Sequence, residues 1–272
     1  MNHAHFLFIL WLPFIISCAK NIKAETETEV ISVSQTSFSE PDTVQNISTA
    51  DILPKNEPIS ADSLARLHQR YNQIRHQILA QRDVFRQEYE QAESDSLKDS
   101  ILKKAGIYLN ERLAEEIFPA WYGTSWDFNG YTNKPQTGEI ACGYFVSTPL
   151  KHVGVDFNRY KVAQQYSSAI VDLLCSEKKQ FRELEKMLDY VESQPDDLYI
   201  VGLSNHVGFI RKSGIDIRFI HSSYYKPVAV VSEWAEESEV LGFSSIYVLG
   251  TLTSNPEFVR KWVLSEEIVV GG

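Results

Sequence analysis

The sequence predicts an α+β fold in which helices pack on an antiparallel sheet and a helical hairpin precedes the domain. Two observations support this class. Apolar residues recur at helical spacing between residues 60 and 118. From residue 197 onward, short apolar runs alternate with turn-forming residues, which is typical of antiparallel strands joined by tight turns. Helices gathered before a meander of strands give an α+β domain.

The composition is that of a soluble globular protein and excludes several function classes. The chain has 272 residues, of which 43% are hydrophobic and 23% are charged. Its 26 Lys and Arg residues stand against 36 Asp and Glu residues, a formal net charge of −10, and there is no basic run. Binding to nucleic-acid phosphates is therefore not expected. Three cysteines do not make a disulfide framework, and seven histidines show no zinc spacing, so neither a metal site nor a cofactor is predicted.

The first residues indicate export. Residues 1–17 contain an apolar run, Phe6 to Ile16, and are predicted to be a signal peptide. A small residue precedes Cys18, a pattern typical of a lipidated cysteine that becomes the mature N-terminus; a plain secretory signal is the alternative. Residues 18–59, rich in Ser, Thr, Glu, Asn and Pro, are predicted to be a disordered tether. We therefore expect a bacterial envelope protein, anchored by a lipid at a membrane, most simply the outer membrane, and touching that membrane only through the lipid.

Residues 60–118 are predicted to form a helical arm of two helices. In the first, Ser60 to Ala92, apolar residues recur every seven positions: Leu64, Tyr71, Ile78 and Phe85. The second is predicted to end before Pro119. A short turn at residues 93–96 indicates an antiparallel hairpin whose apolar stripe packs into the core. A dimerising coiled coil is the alternative interpretation of the same stripe.

Cys142 is the candidate nucleophile. It follows a stretch rich in turn-forming residues and opens an apolar run at Tyr144–Val146, so it is predicted at the first turn of a helix. Backbone N–H groups and the positive end of the helix dipole stabilise a thiolate there, and the thiolate is the nucleophile. A buried structural cysteine is the alternative. Pro149 predicts that the helix kinks or ends beside it. His152 is interpreted as a surface residue and Cys175 as part of the core.

Two histidines lie in a predicted hairpin downstream. One strand opens at His206 and the next ends at His221, with a turn around residues 212–214. If His206 lies opposite His221, the two imidazoles meet across the ladder. Cysteine catalysis needs a base that takes the thiol proton and a polar group that orients this base. Cys142 and these two histidines supply all three.

Three segments, GEIACGYFV, DLYIVGLSNHVGFI and RFIHSS, resemble the NlpC-type papain-like cysteine peptidases of bacterial cell walls. The resemblance covers about residues 119–232 and implies a papain-like core. It implies that Cys142 is the nucleophile, that His206 is the general base and then acid, and that His221 orients it. The family also has a Tyr in a Gly-containing motif upstream, near the oxyanion site, and Tyr122 is the candidate here.

The sequence departs from the family beside the nucleophile. The family usually has Asp before the Cys and Ser-Gly after it, polar groups that help hold the free amine of a peptidoglycan stem peptide. Here the neighbours are Ala141 and Gly143. The segment between Cys142 and His206 also contains two stretches predicted as helices, residues 160–174 and 177–192, as extra cover for the cleft.

Residues 119–272 are therefore predicted to be a papain-like catalytic domain that hydrolyses peptide amide bonds of peptidoglycan. Within it, residues 227–231 are predicted as a fourth strand, residues 233–239 as an acidic helix or loop, and residues 255–263 as a last helix. Two other functions stay open at this point. One is a non-catalytic binding module on the same fold, and the other is a thiol acyltransferase that passes the acyl group to an amine.

Overall fold

The computed structural model describes residues 59–271. The predicted signal peptide, Cys18 and nearly all of the tether lie outside these residues. Within the described part of the chain, no helix combines the length and the apolar character needed to cross a membrane.

The helical arm forms as predicted over most of its length. Helix α1 spans Ala61–Gln91 and helix α2 spans Asp95–Arg112, and three residues join them. Ser60 precedes α1 and caps it by accepting a hydrogen bond from the Ser63 amide. Ser94 precedes α2 and caps it in the same way, by accepting from the Leu97 amide. These side chains satisfy N–H groups that have no partner inside the helix.

The helical path continues beyond the predicted end of the arm. A π-helical turn, Leu113–Ile117, leads into a short helix α3, Phe118–Trp121, so the prediction that the helix ends before Pro119 is wrong. Pro119 lies in the first turn of α3. Proline has no N–H to donate to the preceding turn, and α3 ends two residues later, at Trp121.

The arm shares one continuous hydrophobic core with the residues that follow it. Tyr71, Ile78 and Phe85 of the heptad stripe are buried in this core, as the hairpin interpretation predicts. Tyr71 accepts a hydrogen bond from Trp121 Nε1 (2.9 Å), and its hydroxyl lies 3.0 Å from His152 Nδ1. His152 is therefore buried, and its interpretation as a surface residue is wrong, because the arm covers it.

The remaining elements begin with three helices and include a run of four consecutive strands. Helices α4 to α9 span Cys142–His152, Arg159–Ala163, Ser167–Leu174, Leu184–Ser193, Glu239–Gly242 and Pro256–Leu264. Strands β1 to β6 span Ser176–Phe181, Asp197–Leu203, Val207–Ser213, Asp216–Ser222, Val230–Trp234 and Tyr247–Thr251. The six strands form one antiparallel sheet in the order β1-β6-β2-β3-β4-β5. The predicted α+β class is confirmed.

Two helices predicted before the hairpin differ from the structure. The stretch 160–174 is divided into α5 and α6, and the Ala163 carbonyl at the end of α5 packs against Gly143. The stretch 177–192 contains strand β1 as well as helix α7. Strand β1, of sequence SEKKQF, is an edge strand with mostly exposed polar side chains. Such edges carry charges and lack the apolar alternation that marks a strand in a sequence.

Helices cover both faces of the sheet. Alternate residues of β2 enter two separate cores, with Leu198 and Ile200 on one face and Tyr199 and Val201 on the other. The larger core contains the arm, α4, α6 and α9, whereas α7 and α8 close the smaller one. Both faces are buried, and so β2 is buried along its whole length.

Candidate active site

Cys142 is the first residue of α4, as predicted. Ala141 caps this helix and offers no side-chain acceptor, so the first amides of α4 are free to interact with the sulfur. The helix continues through Pro149 to His152, so the predicted end beside the proline is wrong, whereas the predicted kink stays a prediction. Proline removes only its own backbone hydrogen bond to the preceding turn, and α4 ends three residues later.

The thiol lies where strands β3 and β4 separate. Their ladder ends at the pair Phe209–Ile220, so the amide of Val207 is not paired with β4. This amide donates to the Cys142 sulfur instead. Ser222, at the end of β4, donates through Oγ to the Ile140 carbonyl at 2.7 Å. The chain just before the nucleophile is thereby bonded to the sheet.

The protonation of the thiol differs from the expectation. Burial raises the pKa of Cys142 above the ordinary thiol value, and the amides of Val207, Gly143 and Cys142 itself lower it by less. Cys142 as a whole residue is nevertheless partly exposed. Cys175 is buried as predicted, and burial raises its pKa strongly. Cys142 therefore rests as a thiol rather than as a preformed thiolate, and it would need a base in order to act as a nucleophile.

The two histidines meet, although the predicted register is wrong by two residues. Ser213 pairs with Asp216 across a two-residue turn, in which Gly214 adopts a positive φ of 59°. The turn therefore lies one residue further along the chain than predicted, and His206 is diagonal to His221 rather than opposite. A two-residue shift keeps every side chain on its face, because side chains alternate with a period of two.

His206, His221 and Glu233 form a hydrogen-bonded series, which we call the His–His–Glu triplet. His206 Nε2 lies 2.9 Å from His221 Nδ1, and His221 Nε2 lies 3.1 Å from Glu233 Oε1. Ser238 donates through Oγ to the same Glu233 oxygen. His206 itself is held at the end of the β2–β3 hairpin, where its carbonyl accepts from the Leu203 amide at 2.8 Å.

Glu233 was missed at the sequence level because it was assigned to an acidic helix or loop. In the structure it belongs to strand β5 and pairs with Phe219. Phe219 is two residues before His221, so Glu233 shares the face of His221. The available signal was the alternation of side chains between the two faces of β5. It becomes visible only when the predicted strand is extended beyond residue 231.

Both histidines are neutral in the resting site. Burial, followed by the neighbouring His221, places the pKa of His206 well below its ordinary value. Burial also lowers the pKa of His221, by more than Glu233 raises it. Burial raises the pKa of Glu233, but hydrogen bonds from His221 and Ser238 outweigh it and the net direction is down. The site therefore contains a neutral thiol, two neutral imidazoles and one carboxylate.

Gly208 makes room for the imidazole of His221. A Cβ at Gly208 would lie 2.6 Å from Phe219 Cε2 and 2.8 Å from His221 Cβ. The ring of Phe219 stacks on that of His221, with centroids 3.9 Å apart. The absence of a side chain at Gly208 thus allows the rings of Phe219 and His221 on β4 to lie close to β3.

Replacing Gly208 by Ala is expected to destabilise the protein by about 1–3 kcal/mol, the usual cost of overpacking a buried site. The measurement is the urea midpoint of unfolding. Gly242→Ala is the matched control, because a Cβ there would meet no atom within 4 Å. Equal midpoints for the two variants would show that the ring pair is not tightly packed against Gly208.

Tyr224 lies beside both the thiol and the base. Its ring packs edge-on against His206, with centroids 5.3 Å apart. Burial raises the pKa of Tyr224, and the nearby Cys142 raises it further. No side-chain hydrogen bond joins Cys142 to His206 among the residues described. Catalytic hydrogen bonds are often long before substrate binds, so this geometry is compatible with proton transfer.

Tyr122 makes its contacts elsewhere. Its hydroxyl interacts with Ser232 of β5 and lies near Arg218 and Arg211, and burial raises its pKa. Within residues 59–271 no hydrogen bond links Tyr122 to Cys142. The oxyanion role of Tyr122 therefore stays a prediction from the resemblance, whereas the amides at the start of α4 are already at the sulfur.

The departures from the family pattern have a structural reason at Gly143. A Cβ at this position would lie 2.3 Å from the Ala163 carbonyl oxygen, so a serine does not fit beside α5. Two residues further along α4, Tyr144 provides an aromatic side chain. Tyr144 packs against Tyr160 with centroids 5.8 Å apart, and the Arg159 guanidinium lies 4.4 Å from the Tyr160 ring.

Across residues 59–271, no group of three or more His, Cys, Asp or Glu side chains has the arrangement of a metal site. A scan against protein-family models and searches of curated proteins and solved structures found no match to this chain.

Proposed function

We propose that this protein is an exported, lipid-anchored cysteine amidase or endopeptidase of the NlpC-type papain-like class. Its substrate would be a peptide amide bond of peptidoglycan. The observation that carries the proposal is the 2.9 Å hydrogen bond between His206 and His221, next to Val207, whose amide donates to the sulfur of the helix-start Cys142. Nucleophile, base and orienting group are the minimum set for thiol catalysis.

The geometry supports a general-base mechanism. Cys142 Sγ attacks the amide carbon while His206 takes the thiol proton through Nδ1, the ring nitrogen not bonded to His221. The carbonyl oxygen, now negative, accepts hydrogen bonds from the amides of Cys142 and Gly143. The C–N bond then breaks, and His206 gives its proton to the leaving amine. The product of this half-reaction is a thioester on Cys142.

Hydrolysis of the thioester completes the cycle. Neutral His206 accepts a proton from water as the water oxygen attacks the acyl carbon. The carbon–sulfur bond breaks, and the thiolate recovers the proton from His206. The carboxylic acid leaves, and the site returns to a thiol and a neutral imidazole, the state described above. An amine in place of water would make the protein an acyltransferase.

The substrate and compartment rest on sequence features. Peptidoglycan is proposed because of the family resemblance and of the signal and lipidation pattern ending at Cys18. Ala141 and Gly143 replace the family's polar residues, so the bond cleaved is expected to differ from that of relatives that hold a free amine at this place. In their stead, the aromatic pair of Tyr144 and Tyr160 is proposed to supply stacking contacts to the substrate.

A thiol-reactive probe tests the proposal against a non-catalytic binding module. In folded protein carrying Cys18→Ala, iodoacetamide is expected to modify Cys142 well before Cys175, with peptide mapping by mass spectrometry as the readout. The rate should rise through the alkaline range, because burial raises the pKa of the Cys142 thiol.

Cys175 is the internal control, since it is a thiol of the same chain without histidines beside it. His206→Ala is expected to slow modification of Cys142 and leave Cys175 unchanged. Modification of Cys142 no faster than of Cys175 would favour the binding module.

A further inference from the structure

We propose that Glu233 is a positioning residue that fixes the tautomers of both histidines, so that Nδ1 of His206 is the free acceptor for the thiol proton. This inference deepens the proposed function and rests on it for the catalytic consequence, although the tautomers themselves are independent of it. It is carried by the two hydrogen bonds of the His–His–Glu triplet and by the donor rules of its members.

The assignment starts at Glu233. An ionised carboxylate only accepts hydrogen bonds, and Glu233 Oε1 lies 3.1 Å from His221 Nε2. The proton of His221 must therefore be on Nε2. Ser238 supports this arrangement, since its hydroxyl donates to the same carboxylate while accepting from the Leu241 amide. The carboxylate is thus held by the start of α8.

The assignment then passes to His206. A neutral imidazole has one N–H, so a proton on Nε2 of His221 leaves its Nδ1 as an acceptor. That atom is 2.9 Å from His206 Nε2, which must be the donor. His206 Nδ1 is then unprotonated. The proton acceptor of the site is set by a glutamate two hydrogen bonds away, on another strand.

Without the carboxylate, the opposite pattern would fit the pair of histidines equally well. His221 Nδ1–H would donate to His206 Nε2, and the His206 proton would be on Nδ1. An imidazole protonated at that atom cannot take the thiol proton there. In the observed site this pattern would set a lone pair of His221 Nε2 against the Glu233 carboxylate, which is repulsive.

The negative charge of Glu233 has a second consequence. When His206 takes the thiol proton it becomes an imidazolium. The Glu233 carboxylate, on the other side of His221, stabilises this positive charge. The charged or titratable groups around this series are Arg218, which lowers the pKa of Glu233, and Cys142 and Tyr224 near His206. Arg218 offsets part of the effect.

Tautomers are measured directly by nuclear magnetic resonance. The full chain carrying Cys18→Ala is labelled with ¹⁵N-histidine, and long-range ¹H–¹⁵N correlations identify the protonated nitrogen of each ring. Single His206→Gln and His221→Gln samples assign the signals. We expect both histidines to be neutral at pH 7 with the proton on Nε2. In Glu233→Leu, His221 should populate the Nδ1–H form.

Catalysis gives the second readout, by the rate of amide cleavage of muropeptides. Glu233→Leu is expected to lower kcat about 10- to 100-fold with little change in KM, a part of the general acid–base contribution. Glu233→Gln keeps an acceptor oxygen and is expected to retain more activity. Its pH profile should be displaced downward, because the negative charge of Glu233 raises the pKa of His221. Glu237→Gln, an exposed glutamate of the next turn, is the matched control.

The outcomes separate the two proposals. An Nδ1–H form of His221 in the unaltered protein, or tautomers unchanged in Glu233→Leu, would overturn the role of Glu233. The expected tautomers in a protein that cleaves no muropeptide would overturn the proposed function and leave the tautomer assignment intact. If Glu233→Leu does not fold, Glu233→Gln decides, since an unshifted pH profile and unchanged kcat would reject the role.

Discussion

His206→Ala is expected to reduce turnover by about 10²- to 10⁴-fold, and Cys142→Ala is expected to abolish it. The reason is that burial raises the pKa of the Cys142 thiol, so attack requires removal of its proton. In the proposed mechanism, His206 removes this proton and returns it to the leaving amine. The measurement is the initial rate of muropeptide cleavage by liquid chromatography and mass spectrometry.

The matched control is Cys175→Ala, which removes the other thiol of the folded domain. It should retain activity in molecules that remain folded, because Cys175 packs in the core, against Gly250. Melting curves of every variant separate loss of chemistry from loss of structure. Activity of a folded Cys142→Ala protein equal to that of the unaltered one would contradict the assignment of the nucleophile.

Variants of His221 are expected to have turnover rates between those of the unaltered protein and of His206→Ala. His221→Asn is expected to retain more activity than His221→Ala, and both should exceed His206→Ala. An Asn oxygen can still accept from His206 Nε2–H, whereas Ala leaves a buried donor unpaired. A folded His221→Ala protein with full activity would remove His221 from the site.

The second large effect concerns stability, which is expected to fall as the pH drops below about 6.5. Burial lowers the pKa of His152 to about 3, and it lowers those of His206 and His221 as well. In the unfolded chain these histidines bind protons from about pH 6.5 downward. The unfolded state then binds more protons than the folded state, and so stability decreases with decreasing pH.

Each buried histidine contributes a slope of roughly 1 kcal/mol per pH unit once the pH is well below its unfolded pKa. Urea unfolding between pH 7 and pH 5 measures this slope. His152→Gln should remove about a third of it, whereas His76→Gln, at an exposed position, should leave it unchanged. At lower pH this slope is opposed, because burial raises the pKa of Asp197 and protonation of Asp197 favours the folded state. A flat profile would contradict neutral burial.

The sequence was informative where local pattern and final environment agree. The heptad of Tyr71, Ile78 and Phe85 predicted a helix and a buried stripe, and both are present. The pairing of His206 with His221 was predicted from spacing, and it was robust because a shift of two residues preserves the face. The position of the turn was not predicted correctly, since one residue decides whether Gly214 takes the positive φ.

The remaining features depend on tertiary contacts that no local pattern records. Strand β1 has the composition of an exposed edge and is a strand because β6 pairs with it. His152 is buried because the arm covers α4. Glu233 joins the site through the length of β5, and the raised pKa of Cys142 follows from how deeply the sulfur is packed. Each of these is set by a neighbour distant in sequence.

The central claim is that Cys142 breaks amide bonds of peptidoglycan with His206 as the base. Its most direct test is incubation of the full chain carrying Cys18→Ala with muropeptides, followed by mass spectrometry of the products, with Cys142→Ala in parallel. We expect fragments carrying the mass of one added water for each bond cleaved, and none from the Cys142→Ala protein. Fragments from both proteins, or from neither, would contradict it.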